Sequence, residues 1–148
     1  MDFKRPKEMR AYFNKLISRG FTFRYDFDAY YLCMMAGLHF RKFGRSEGQG
    51  EGFIDNYPGE YSAAKGQIAA LLIDAEIDRG KIGYDNREGI QQLSLSLLDA
   101  HSKTLLSDVG MTYLNRYAVG GLSEIMFQIP ETWEFETFIV LYSRCFGE

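Results

Sequence analysis

The 148-residue chain has few of the residues from which easily recognised sites are built. Its two cysteines, Cys33 and Cys145, cannot make a disulfide framework or a four-cysteine zinc site, so a reducing cytoplasm is the expected compartment. Its two histidines, His39 and His101, stand in no HxH or HExxH spacing, and neither a metal nor any other cofactor is expected. Cys33 and His39 lie more than one helical turn apart, which favours an ordinary buried thiol over a nucleophile paired with a base. With three prolines, 46% apolar and 25% charged residues, the composition excludes a disordered or fibrous chain. Long apolar runs are also missing. The stretch from Ala29 to Phe40 falls short of the roughly 20 residues a membrane helix needs, and the opening Met1-Asp2-Phe3-Lys4-Arg5-Pro6 is not that of a signal peptide. What remains is one domain, large enough to bury roughly 70% of its unfolded surface without disulfide or metal.

Charge is present but unevenly placed. Residues 1–45 hold ten basic side chains against four acidic ones, a net of +6, whereas the other 103 residues sum to −9, giving −3 for the whole. The simplest reading is that the basic terminus packs against the acidic part of its own fold or of a neighbouring copy. Two sharper readings compete with it: contact with nucleic-acid phosphates, or an acidic partner protein. The basic candidates are Lys4, Arg5, Lys7, Arg10, Arg24, Arg41, Lys42 and Arg45. Aromatics crowd the same third, and Phe21, Phe23 and Tyr25 alternate with Arg24 as an extended segment would, making them the candidate exposed aromatic set.

Apolar spacing predicts about six helices and an all-α fold. Pro6 suits the first turn of a helix running to Arg19, with Met9, Tyr12, Phe13, Leu16 and Ile17 inward and Gly20 as its stop. A second helix, begun at Asp26 or Asp28 and running to about Phe43, is apolar nearly all round and is expected in the centre of the core. Residues 44–57, rich in glycine, read as a mobile loop; no Gly-Lys-Ser/Thr follows them, and Glu47 and Glu51 would repel phosphate. A third helix covers Glu60 to Arg79 and stops at Gly80. A fourth opens at the capping Asn86 and runs to about Ala100. A fifth starts at Ser107 or Asp108 with Gly120-Gly121 as a kink or tight crossing, and a sixth is capped at Thr132, with Phe135, Phe138, Ile139, Tyr142 and Phe146 inward.

Two polar clusters stand out. Asp74, Glu76 and Asp78 place two carboxylates at i and i+4, which is half of a two-carboxylate or magnesium site but also the pattern of a solvated helix face with Arg79 answering Glu76. Asn115 and Arg116 interrupt an apolar run. Arg116 is expected to bridge to Asp108, Glu124 or a backbone carbonyl, with a partner-facing hot spot as the alternative.

In the segments Phe27–Cys33, Ala70–Glu76 and Leu114–Gly121 the chain resembles small helical accessory proteins encoded with bacterial phage-defence genes, those of DNA-phosphorothioation systems in particular. The resemblance implies a cytoplasmic subunit of a DNA-modifying or DNA-restricting assembly, and it carries over no site residues. The expected function is a non-enzymatic helical subunit that binds a larger protein partner through its aromatic, basic N-terminal third and its mobile glycine loop. A nucleic-acid-binding module is the alternative, and an enzyme with an unrecognised acidic site comes third. Self-association is compatible with all three.

Overall fold

The structure is a computed structural model that describes residues 1–15, 26–129 and 134–147. Six helices dominate it, but a small antiparallel sheet is present too, so the all-α expectation needs correcting. The elements are β1 (Phe3–Pro6), α1 (Met9–Phe13), α2 (Asp26–Phe40), β2 (Gln49–Ile54), α3 (Lys65–Arg79), α4 (Arg87–Leu97), α5 (Asp108–Gln128) and α6 (Phe135–Phe146). Single 3-10 segments at Ser46–Gly48 and Gly59–Ala64 precede β2 and α3.

The body is organised by α2 lying across α5. Helix α2 buries Phe27, Ala29, Tyr30, Cys33, Met34, Ala36 and Leu38, and so is central as its all-round apolarity requires. Helix α5 buries Met111, Leu114, Tyr117, Ala118, Leu122 and Ile125 at helical spacing. The two backbones touch through glycine. A Cβ on Gly37 would overlap the Tyr117 carbonyl oxygen, and one on Gly121 the Cys33 carbonyl oxygen. The Gly120-Gly121 pair thus marks a tight crossing within a continuous helix.

Polar groups at this crossing are satisfied, as burial demands. The fully buried Asn115 accepts from the Tyr30 hydroxyl at 2.7 Å and the Lys4 amide at 3.0 Å, and donates to the Asp2 carbonyl at 3.2 Å. Asn115 therefore ties β1 down along the edge that β2 leaves free. Glu76, only 3% exposed, accepts two bonds from the Arg79 guanidinium and one from the Tyr117 hydroxyl, each at 2.7 Å. The Arg79–Glu76 pair is the one expected, but Glu76 is no part of a solvated face.

Two expectations fail near the N-terminus. Pro6 ends a strand rather than opening a helix, and α1 spans only Met9–Phe13, with Met9, Tyr12 and Phe13 buried as its spacing required. The rest of the expected first helix lies outside the described residues. The glycine-rich segment is not a loop throughout: β2 pairs with β1 in an irregular register, Phe3 opposite Ile54, Lys4 opposite Gly52 and Pro6 opposite Gln49. Its glycines sit where neighbours come close, Gly48 against Val119 and Gly50 with a Cβ position 2.9 Å from the Arg5 carbonyl oxygen.

Around the α2–α5 pair pack the other helices, α3 burying Ile68, Ala69, Leu72, Ala75 and Ile77. Asn86 and Ser107 cap α4 and α5 as read, accepting from the amides of Gly89 at 2.9 Å and Gly110 at 3.1 Å. Helix α4 ends at Leu97, and that is its one buried residue. Helix α6 follows Glu134 and buries Phe138 and Phe146; the Tyr142 hydroxyl reaches the Leu32 carbonyl at 2.7 Å, while Ile139 is exposed rather than inward. The cap expected at Thr132 lies outside the described residues.

Candidate functional site

The chain leaves α2 through Arg41, whose φ of 56° is the left-handed conformation that helix stops usually give to glycine. The Lys42 amide closes the turn on the Gly37 carbonyl at 2.9 Å. The Arg41 side chain is engaged through all three nitrogens: it donates to the Leu38 carbonyl, to Asp78 at 2.8 Å and to Asp74 at 3.0 Å. Tyr84 adds a bond to Asp74 at 2.9 Å. The carboxylates Asp74 and Asp78 thus straddle one guanidinium, which raises its pKa against the opposing effect of burial.

Just beyond, Phe43 lies against two guanidinium groups, that of Arg79 at 4.0 Å from the ring centre and that of Arg116 at 4.1 Å. Arg116 also clasps the strand-like segment: its Nε donates to the Gly44 carbonyl at 2.8 Å, and its own carbonyl accepts from the Gly44 amide at 2.8 Å. Of the bridges considered for Arg116, the one to a backbone carbonyl is found. The Glu76 hydrogen bonds hold the Arg79 proton most firmly and push its pKa up, and burial pushes the Tyr117 hydroxyl up.

Between this segment and the C-terminal half of α5 a groove of about 1180 Å³ opens. Gly44, Gly48, Val119 and Gly120 line it on the apolar side, Lys42, Arg45 and Glu47 on one flank and Glu124 on the other, with Phe127 also lining it. Phe127 is 78% exposed, the most exposed of the large apolar side chains among the described residues. A single exposed apolar side chain is ordinary on a protein surface; Phe127 is singled out by its place beside the groove. Lys42 and Arg45 are exposed and make no ion pair among the described residues. Glu124 accepts from Gln128 at 3.1 Å.

The other basic candidates do not join them. Arg5 and Arg10 converge on one carboxylate oxygen of Asp26, at 3.0 and 2.6 Å, with Glu51 a further 3.9 Å from Arg5. They mark the opposite end of α2, whose 15 residues span about 22 Å at 1.5 Å per residue. A smaller opening of about 660 Å³ beside them runs along Phe53 and Ile54. Lys4 and Lys7 serve the sheet through their backbones, the Lys7 amide donating to Gly48 at 2.9 Å. Phe21, Phe23, Arg24 and Tyr25 lie outside the described residues. The basic third is thus divided into at least two places, with Arg5 and Arg10 answered by one carboxylate in their own third and Arg41 by two in the acidic part.

Phe127 was missed in the sequence, although the signal was there. Leu122, Ile125 and Ile129 define the inward side of α5, and two residues past Ile125 is the outward side. Among the described residues no group of three or more His, Cys, Asp or Glu is placed to hold a metal ion, and no helix is long and apolar enough to cross a membrane. Comparison with protein-family models, curated proteins and solved structures returns no match to this chain. The three segments that carry the resemblance to phage-defence accessory proteins meet in the core, through Tyr30 with Asn115 and Glu76 with Tyr117.

Proposed function

We propose that the protein is a non-enzymatic helical subunit whose groove between residues 41–48 and α5 docks another protein. The observation that carries this reading is Phe127, exposed over 78% of its surface beside an apolar-lined groove of about 1180 Å³. A rigid aromatic supplies contact area at little entropic cost, and an adjacent pocket gives it or its partner a place to bury. The acidic candidates weigh against chemistry at Asp74 and Asp78, because both are spent on Arg41. The larger assembly is proposed to be a bacterial one acting on DNA, on the resemblance in the α2, α3 and α5 segments alone.

Direct nucleic-acid binding is the second reading, favoured by Lys42 and Arg45, which are free to meet phosphate. Against it, Glu47 and Glu124 face the same opening and would repel a polyanion. Titration of labelled single-stranded and duplex DNA at about 50 and 200 mM salt separates the two, since several phosphate contacts would weaken binding by orders of magnitude over that range. The expected result is no binding at the lower salt. Tight, salt-sensitive binding that is lost in Lys42→Ala/Arg45→Ala would overturn the protein-docking reading.

A further inference from the structure

The two edges of the small sheet are finished differently. Along β1, Asn115 occupies the outer edge, accepting from the Lys4 amide at 3.0 Å and donating to the Asp2 carbonyl at 3.2 Å. Along β2 nothing takes that place: among the described residues, the backbone of residues 50–54 makes no hydrogen bond except with β1. Register shows which groups are left over. Opposed residues of an antiparallel pair alternate between exchanging two hydrogen bonds and exchanging none. Lys4 turns its amide to Asn115 and away from β2, so Lys4 and Gly52 are a pair of the second kind, and the Gly52 N–H and C=O point outward from the sheet. Glu51 and Gly52 are exposed, Glu51 is the one charge on the strand, and no proline interrupts it.

The opening of about 660 Å³ adjoins this strand, lined by residues 51–54 together with Phe27 and Pro58; its remaining side chains, Arg5, Arg10 and Asp26, are paired with one another. Water satisfies an unpaired edge in the free protein, and the macromolecular group that matches its spacing is another extended backbone. The geometry points to strand addition: an extended segment of a partner protein pairs with β2 through the Gly52 N–H and C=O and sets an apolar side chain in the opening beside Phe27, Phe53 and Ile54. Main-chain bonds supply the affinity of such a contact, and the pocket supplies its selectivity. A second copy is a poor occupant. Pairing β2 with itself about Gly52 sets the two Glu51 residues on one face as diagonal neighbours about 7–8 Å apart, like charge against like.

None of residues 50–54 lines the groove beside α5, so this inference and the docking reading can fail separately. The probe is a phage-displayed library of random peptides about nine residues long, enough to span the six residues of β2, selected on the full chain. Enriched peptides should bind wild type and Gly52→Ala, which keeps the outward N–H and whose methyl meets only the exposed Asp2 side chain. They should bind Gly52→Pro, which lacks that N–H, at least about tenfold more weakly, the loss expected from one hydrogen bond left unmade. Phe127→Asp should bind them as wild type does. A second readout needs no variant of the protein. N-methylation of one alternate set of peptide amides should abolish binding and of the other set should leave it, because a strand turns only every second residue toward a given neighbour. Failure to enrich any peptide overturns the inference, as does equal binding to Gly52→Ala and a folded Gly52→Pro, equal tolerance of both methylation sets, or a loss in Phe127→Asp. A wild type that dimerises by itself and is monomeric as Gly52→Pro also overturns it, by giving the edge to a second copy.

Discussion

The α2–α5 crossing and the groove beside it use the same two helices to opposite ends. At the crossing, glycine meets backbone and every named polar group has partners: Asn115 makes three hydrogen bonds and Glu76 accepts three. About two helical turns past Gly121 along α5, Phe127 is exposed, and on the other flank of the groove Lys42 and Arg45 are exposed without an ion pair among the described residues. Under the proposed docking reading, the difference separates stability from contact surface within one helix. Its inward side is satisfied by its own chain, whereas Phe127 on its outward side is exposed.

Breaking the crossing should produce the largest effects. Gly121→Leu must displace the Cys33 backbone, so its cost should exceed the roughly 1–3 kcal/mol of ordinary overpacking, read as loss of the cooperative thermal transition. Glu76→Ala strands the Tyr117 hydroxyl and the Arg79 guanidinium. Removing one partner of a buried pair costs about 3–5 kcal/mol, and because Arg79 is 42% exposed and reaches water the lower end, about 3 kcal/mol, is expected by urea denaturation.

Alkali attacks the same place by titration. Burial pushes the hydroxyl pKa of Tyr30 and Tyr117 up, so the folded state holds these protons more tightly than the unfolded chain does. The stability they contribute is full below the unfolded value of about 10 and is lost as pH rises above it, at about 1.4 kcal/mol per pH unit per tyrosine. Melting temperature should be level near pH 7–8, begin to fall above about pH 8.5–9 as the unfolded Cys33 thiol ionises while burial keeps the folded one protonated, and fall steeply above about pH 10; Tyr30→Phe, which removes one of these hydroxyls, should reduce the slope.

The periphery should respond weakly. Asn86→Ala removes the cap of α4 and should cost about 0.5–1 kcal/mol. Leu95→Ser, at a position 73% exposed, should stay within about 0.5 kcal/mol of wild type by the same denaturation. A larger loss at Leu95 than at Asn86 would mean that α4 is covered in solution, and would redraw the boundary between interior and contact surface.

Much of the interior was legible because helix phase is a local signal. The central place of α2 and the caps at Asn86 and Ser107 could be read within one or two turns of sequence. What was not legible depends on partners far along the chain. Phe3–Pro6 becomes a strand only because residues near 50 pair with it, and Glu76 is buried only because Tyr117 arrives from another helix. The glycines of residues 44–52 looked like freedom; in the fold several of them mark close approach to Val119 and Arg5. The basic third looked like one surface until Asp26 and the Asp74–Asp78 pair divided it.

The most direct test of the groove as a protein-docking surface is a photo-crosslinking amino acid placed at position 127, with the equally exposed position 95 as control. Irradiation in cells that express the protein natively is expected to give a protein–protein adduct from position 127, at twice the monomer mass if the partner is a second copy, and none from position 95. Equal labelling from both positions, or an adduct at 127 that nuclease removes and protease leaves, would contradict the account.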